Sequence, residues 1–281
     1  MTRRQIIKAI GLGGLVTAVT SDLSAEVIPQ LFDHEGLAHI PVDKAITAIT
    51  IGAGARGNVY GGYSIKYPDQ LDIVGVAEPI AVRNERYSAK HNIPESNRFK
   101  TWEDVFKVPK FADAVIISTP DNLHYGPCMA ALKMGYHVLL EKPISPSEQE
   151  CRDILALSKK QKRIVAVCHV LRYAPYFQKL REYVQSGAIG TVVSIQHMEP
   201  IEHIHMSHSY VRGNWRNSKN ATPSILAKSS HDTDIIRWLV NNPVHDVHCF
   251  GNLRWFTNRN APEGSTERCT DGCKVESTCP Y

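Results

Sequence analysis

Ala45-Ile46-Thr47-Ala48-Ile49-Thr50-Ile51-Gly52-Ala53-Gly54-Ala55-Arg56-Gly57 is the stretch that decides the fold. Residues 45–51 are a short run rich in isoleucine and threonine, the pattern of a strand covered on both faces. It stops abruptly at a turn of the form G-x-G-x-x-G, and a helical pattern follows. Each glycine has a physical task there. Gly52 permits the tight turn, Gly54 lets the backbone approach a pyrophosphate, and Gly57 lets the helix pack closely on the strand. Ala55 and Arg56 sit on the first helical turn, where free N–H groups and a partial positive charge favour phosphate. A dinucleotide site is expected at residues 52–57.

The same grammar repeats outward from this turn. Residues 71–77, 114–118, 136–140 and 164–170 are further apolar runs. Glu78-Pro79, Thr119-Pro120 and Glu141-Lys142-Pro143 close the first three. Helical spacing covers 123–134 and stops at Gly135. Ser145-Pro146-Ser147-Glu148 has the form of a capping box with proline at the first helical position. Cys151, Ile154, Leu155 and Ser158 follow at helical intervals. Strands alternating with helices imply right-handed crossovers and an α/β, doubly wound parallel sheet. Ligands on such sheets lie beyond the carboxyl ends of the strands, where the polar punctuation falls. Glu78 stands about 20 residues past the turn, the place of a ribose-binding acid. A carboxylate there repels a 2′-phosphate, so NAD is favoured over NADP, with Arg83 softening the preference.

Composition sets the outer bounds. The chain has 281 residues, 43% hydrophobic and 21% charged, with a formal charge of +4. The length suits about two domains. The mild charge is spread along the chain, which gives no electrostatic case for nucleic acid. No apolar run approaches the roughly 20 residues of a membrane-spanning helix. Residues 1–30 are set apart as a signal segment. Thr2-Arg3-Arg4-Gln5-Ile6-Ile7-Lys8 resembles a twin-arginine export signal, residues 9–19 are weakly apolar, and Ser24-Ala25 offers small residues for cleavage. Export to the periplasm is expected if the signal is used, a cytoplasmic protein if it is not. Residues 31–43 then read as a linker, 44–170 as the nucleotide domain and 171–281 as a partial second domain.

Three motifs now stand in order at strand ends: the glycine turn, Thr119-Pro120-Asp121-Asn122-Leu123-His124, and Glu141-Lys142-Pro143. Together they resemble the Gfo/Idh/MocA oxidoreductases, the glucose–fructose oxidoreductase and inositol dehydrogenase family, over roughly residues 44–256. The resemblance implies a second, α+β domain built on an open, mostly antiparallel sheet whose face forms a substrate pocket and often an oligomer contact. It implies that Thr119, Pro120, Asn122 and His124 line the cofactor and that Glu141 sits near the nicotinamide ribose. Lys142 would assist proton transfer at a substrate hydroxyl, as hydride departure from a carbinol requires.

The second half departs from the pattern at one place. Many family members carry an aspartate four residues before a histidine. Here the histidine is His231, the aspartate position is Ala227, and Lys228 stands beside it. His231 remains a proton shuttle, and Lys228 suits an anionic or hydroxyl-rich substrate. Asp232 and Asp234 read as helix N-terminal charges. Helices are expected at 174–186 and within 223–240, and strands at 190–198 and 247–256. Arg172, Tyr173, His205, His208, Trp215 and Arg216 are candidate substrate contacts. His197, Glu199, Glu202, His203, His205 and His208 form a polar cluster read as a loop over the pocket rather than a metal site, its spacing being irregular. Of seven cysteines, Cys128, Cys151, Cys168 and Cys249 read as buried small side chains. Cys269, Cys273 and Cys279, in the Cys-rich end 264–281, suit metal, or a disulfide plus a free thiol. Only about two strands of the second sheet precede Pro280-Tyr281, and a two-stranded sheet is marginal. The sequence is therefore expected to be truncated relative to the family pattern.

Three functions compete. The leading one is NAD-dependent oxidoreduction of a sugar, sugar derivative or polyol. The second is an NAD-dependent glycoside hydrolase that oxidises a hydroxyl transiently, eliminates the aglycone and restores the cofactor. The third is a non-catalytic sensor of NAD and sugar. The expected partner is a small carbohydrate, with a homo-oligomer formed through the second-domain sheet.

Overall fold

The computed structural model describes residues 44–279 except 218 and 220. The twin-arginine-like segment and the linker lie outside the described residues. Six parallel strands form one sheet in the order β3-β2-β1-β4-β5-β6. They are β1 (Ile46–Ile51), β2 (Leu71–Ala77), β3 (Arg98–Phe99), β4 (Ala114–Ile117), β5 (His137–Leu140) and β6 (Val165–Val167). Helices α1 (Ala55–Lys66), α2 (Ala81–Lys90), α3 (Trp102–Val105), α4 (Tyr125–Lys133) and α5 (Glu148–Gln161) lie between them in the chain. This is the doubly wound order in which the chain switches direction between β1 and β4, leaving a crevice at their carboxyl ends.

The apolar runs are continuous because both faces of the sheet are covered. Ile49, Ile51, Val115, Ile117, Val138 and Leu140 turn to one side, against Cys128, Ala131, Leu132 and Ile154 of α4 and α5. Ala48, Ile73, Val76 and Ile116 turn to the other, against Tyr87 and Ile93. Neighbours in one strand thus serve opposite cores, as the two-residue period requires. Thr50 is buried on the second side, where its hydroxyl meets that of Tyr87 at 2.8 Å. Ile117 is fully buried at the centre of the sheet. Ile117→Ala is expected to cost about 2–5 kcal/mol of stability by cavity formation, measured by denaturant unfolding.

Several local expectations shift. Strand β3 has two residues, too short to leave a period. Strand β6 covers 165–167 rather than 164–170, because Val170–Tyr173 turns into a 3-10 helix. The capping box moves two residues along the chain. Ser147 is the N-cap of α5, and its Oγ accepts from Glu150 N at 3.4 Å. Ser145 Oγ bonds the Glu150 carboxylate and accepts from Ser147 N. Pro146 therefore precedes the helix.

After β6 come α6 (Pro175–Gln185), α7 (His203–Met206), a π-helical turn at Ser207–Val211, α8 (Ser224–Ala227) and α9 (Ser230–Val240). Helices α6 and α9 pack together, and Gln185 donates to Leu239 O at 3.0 Å. Segments 190–198 and 247–256, expected as strands, are not strands. A strand exists through its ladder partners, and among the described residues neither segment has one. Val193 and Phe250 stand 95% exposed on them. No described helix is long and apolar enough to cross a membrane.

Candidate active site

The glycine turn closes β1 with geometry that only glycine fits at two of its positions. Gly52 has φ +92°, and a Cβ there would lie 2.8 Å from Ser118 O. At Gly57 a Cβ would lie 2.1 Å from Gly52 O, so α1 packs on the turn with no room for a methyl. Gly54 differs: a Cβ would meet nothing within 4 Å. It borders the crevice, where a pyrophosphate needs that open space. Gly54 is the N-cap of α1, no side chain caps it, and the first turn holds no acidic residue. The leading N–H groups are left for an anion. Glu78 is buried, accepting from Ala53 N at 2.8 Å and Ile80 N at 3.0 Å. These bonds hold the carboxylate beside the turn, and each oxygen keeps a second lone pair for a ribose hydroxyl.

From this turn a cavity of about 570 Å³ runs across the carboxyl ends of β1, β4 and β5. That is within the range of cofactor sites. Gly54, Ala55, Arg56 and Arg83 border it, with Thr119, Pro120, Glu141 and Lys142, then His205, Trp215, Lys228 and His231. The residues fit a dinucleotide: free helix N–H groups and an open Cα at residue 54 border the crevice, and the Glu78 carboxylate stands behind the turn on Ala53 N.

Glu141 is the hub of its middle. Its Oε1 accepts from Arg56 Nε at 2.7 Å and from Tyr60 Oη at 2.5 Å, and its Oε2 accepts from Lys142 N at 2.7 Å. Arg56 also bonds Tyr60 and lies over its ring. Burial, then contacts to Cys168 and Glu141, raise the Tyr60 phenol pKa and keep the group protonated. Cys168 is buried, its thiol raised to about 11 by desolvation. Tyr60 escaped the sequence reading, whereas Cys168 is buried as expected. The i, i+4 spacing of Arg56 and Tyr60 on α1 was the available signal for Tyr60.

Lys142 Nζ donates to Ala227 O at 2.6 Å. The residue standing where the family has an aspartate thus offers its backbone carbonyl to the lysine. The helical path breaks between α8 and α9 at Lys228-Ser229, and this break delivers both Lys228 and His231 to the cavity. Burial, then the Lys142 charge, pulls Lys228 below the ordinary lysine value. The same two causes, in the same order, bring His231 down to about 4, so its imidazole is neutral. Its Nδ1 is buried without a partner. His205 is lowered by burial and then by Lys228. His169 stacks edge-on to His231 at 6.0 Å and is also lowered by burial.

Other expected residues are placed elsewhere. Arg172 makes a two-pronged ion pair with Asp234, at 2.7 and 2.5 Å, and its guanidinium lies 5.8 Å from the Trp238 ring. It borders neither cavity; its donors are committed to the packing of α9. Tyr173 is 54% exposed and also borders neither. His124 is fully buried, with Nδ1 2.8 Å from Pro143 O and Nε2 3.0 Å from Thr119 O. It bridges two crevice loops from behind rather than lining the cofactor. Asn122 faces a second cavity instead of the crevice. His208 meets Arg212 at 3.2 Å and does not line the crevice. Trp215 borders both cavities, Arg216 the second alone.

Asp232 and Asp234 do more than charge a helix terminus. Asp232 Oδ1 lies 2.8 Å from His197 Nε2, and Glu199 completes a group whose ligand atoms fall within 4.8 Å of one another. Both carboxylates face the Lys228 ammonium, which opposes a second cation there. The described cysteines do not converge into such a group.

Comparisons with known proteins agree with this geometry. Residues 46–169 match the family model described as "Oxidoreductase family, NAD-binding Rossmann fold", and residues 177–269 match the "GFO/IDH/MocA C-terminal domain". The chain is 28% identical over 212 residues to inositol 2-dehydrogenase of Corynebacterium glutamicum (strain R), covering 73% of this chain and 57% of that protein. It is 24% identical over 189 residues to scyllo-inositol 2-dehydrogenase (NADP(+)) IolW of Bacillus subtilis (strain 168), covering 66% and 49%. The chain spans about half the length of the curated relatives it matches. Among solved structures, the fold resembles myo-inositol 2-dehydrogenase from Lactobacillus plantarum, with TM-score 0.62, 19% identity, and coverage of 70% and 57%. It also resembles the WlbA dehydrogenase from Bordetella pertussis in complex with NADH and UDP-GlcNAcA, with TM-score 0.59, 19% identity, and coverage of 72% and 57%. With a six-stranded NAD-binding sheet, the three motifs at its strand ends and matches to both family models, the chain belongs to the Gfo/Idh/MocA oxidoreductase family.

Proposed function

We propose that this protein is an NAD-dependent oxidoreductase acting on a hydroxyl-bearing carbon of a sugar, sugar derivative or polyol. One observation carries the reading. Lys142, Lys228 and the neutral His231 border the crevice that begins at the glycine turn. The inositol dehydrogenases among the relatives favour the same substrate class.

NAD, when bound, supplies the hydride acceptor; the chain's own residues do the remainder. The amino end of α1 and the bare Cα of Gly54 hold the pyrophosphate. Glu78 takes the ribose. The Arg56–Tyr60–Glu141 cluster fixes the backbone of Lys142 through the bond to its N–H. A carbinol loses its hydride readily only as its O–H proton leaves. The Lys142 and Lys228 side chains stabilise the developing alkoxide. Lys142 assists the proton transfer, and His231 accepts the proton on a neutral imidazole.

The pH dependence follows with a definite sign. His231 stays neutral until the pH falls to about 4. The acid limb of kcat/KM that belongs to this residue is therefore expected near 4, well below the 6.5 of an ordinary histidine. His231→Asn is expected to lower kcat about 10²–10⁴-fold and to remove the limb. A wild-type limb at the ordinary histidine value would contradict this role.

A second reading is NAD-dependent glycoside hydrolysis, favoured by a cavity beyond Trp215 that continues the crevice. Offering glycosides while following NADH and released aglycone separates the two. Net NADH supports the dehydrogenase, and aglycone without net NADH supports the hydrolase. We also propose that the second domain carries an open, mostly antiparallel sheet that mediates a homo-oligomer, in which segments 190–198 and 247–256 would gain the ladder partners they lack among the described residues. Exposed Val193, Val247, Phe250 and Trp255 support this. Export through the twin-arginine-like segment is proposed from its residues alone.

A further inference from the structure

Beside the crevice lies a second cavity of about 390 Å³. The two share Pro120, Asp121, Asn214 and Trp215, so the indole stands between them as a common wall. No residue of the glycine turn borders the second cavity, and neither Glu141 nor Lys142 does. It therefore lies outside the path assigned to the cofactor.

Pro120, Leu123 and Ala221 give it an apolar side, and the rest of its lining is polar or aromatic. Asn122, Asn214 and Asn217 contribute carboxamides, Arg216 a guanidinium and Trp215 an aromatic face. Among the described residues the one acid on the wall is Asp121, which is buried and already engaged. Its Oδ2 accepts from Trp215 Nε1 at 3.0 Å and from the Thr222 hydroxyl. That pair pins the polar edge of the indole to the nucleotide domain and leaves the ring face as the wall. Arg216 is held through Nη1 by Gly213 O at 3.1 Å, which orders the side chain while other donors of the fork remain. The Asn122 and Asn214 side chains make no hydrogen bond among the described residues. An ordered aromatic face ringed by amide donors and acceptors recognises a hydroxylated ring: the face takes the C–H side, the amides take the hydroxyls.

We propose that this cavity is a second sugar subsite, holding the ring glycosidically linked to the one whose hydroxyl faces Lys142. This rests on the carbohydrate reading above and narrows it: the preferred substrate is a glycoside or oligosaccharide rather than a free monosaccharide. Sharing Trp215 between the cavities places the linkage at the indole.

The test uses the full chain loaded with NAD. Calorimetry compares cellobiose with glucose, lactose with galactose, xylobiose with xylose, and chitobiose with N-acetylglucosamine, while NADH formation is followed separately. At least one disaccharide is expected to bind about tenfold more tightly than its monosaccharide. Arg216→Ala and Asn122→Ala are each expected to remove most of that ratio. Asn122 is exposed and free of internal bonds, so its variant folds even if Arg216→Ala disturbs the Gly213 turn. No disaccharide outperforming its monosaccharide, or a ratio intact in both variants, would overturn the subsite. A ratio lost in the variants with no NADH formed in any sample would support the subsite and overturn the oxidation reading instead.

Discussion

Replacing Lys142 by methionine is expected to lower kcat by about 10²–10⁴-fold, the range for losing a positioned acid–base group, while NAD still binds. The substitution separates the two jobs of this position. The backbone N–H of residue 142, which donates to Glu141 Oε2, survives in methionine. The Arg56–Tyr60–Glu141 cluster therefore keeps its shape and the cofactor its floor. The ammonium is lost, with its bond to Ala227 O. That bond is worth about 1 kcal/mol of stability, a small loss beside the catalytic one. Neighbouring charges respond as well. His231 and Lys228 are each held down partly by Lys142, so both rise toward their ordinary values when it goes. A pH–rate profile of the residual activity is expected to show its acid limb moved upward from about 4. Unchanged turnover in Lys142→Met would remove the lysine from the mechanism.

The second large effect is a contrast between two glycines of one turn. Gly57→Ala drives a methyl to 2.1 Å from the Gly52 carbonyl, a backbone atom that cannot swing aside. The expected loss is about 3 kcal/mol of stability, with NAD binding lost because the turn is displaced. Gly54→Ala meets nothing in the protein, and its φ of −74° suits alanine. Its melting temperature is expected to stay at the wild-type value. Its methyl nevertheless enters the space reserved for the pyrophosphate. A steric cost of roughly 1–3 kcal/mol corresponds to a Kd for NAD raised about 5- to 150-fold. Thermal unfolding with and without NAD distinguishes the two. A Gly54→Ala protein with wild-type NAD affinity would show that the pyrophosphate lies elsewhere.

The nucleotide half was legible because its information is local. Residues 46–51 and 71–77 are runs covered on both faces, so each reads as apolar without any knowledge of its neighbours. The glycine turn encodes its own steric needs. Strand β3 was not legible: Arg98 and Phe99 pair with Val76 and Ala77 by register alone. The second half shows the reverse error. Residues 190–198 carry a strand-like pattern, yet a pattern does not supply a ladder partner. Side-chain roles split along the same line. Motif position led to Lys142, Lys228 and His231, and all three border the crevice. Arg172 was misplaced because its partner Asp234 lies 62 positions away. Tyr60, Asp121 and His169 acquire their roles only when separate elements meet, and no spacing along the chain announces that.

The proposed function requires that a hydride pass between a carbohydrate carbon near Lys142 and the nicotinamide of an NAD whose pyrophosphate is held at the glycine turn. The most direct measurement is single-turnover mass spectrometry of the cofactor after mixing the NAD-loaded protein with a sugar or polyol deuterated at its carbinol carbons. The account predicts deuterium on the reduced nicotinamide, abolished in Lys142→Met. Bound sugar and bound NAD with no deuterium transferred would contradict it.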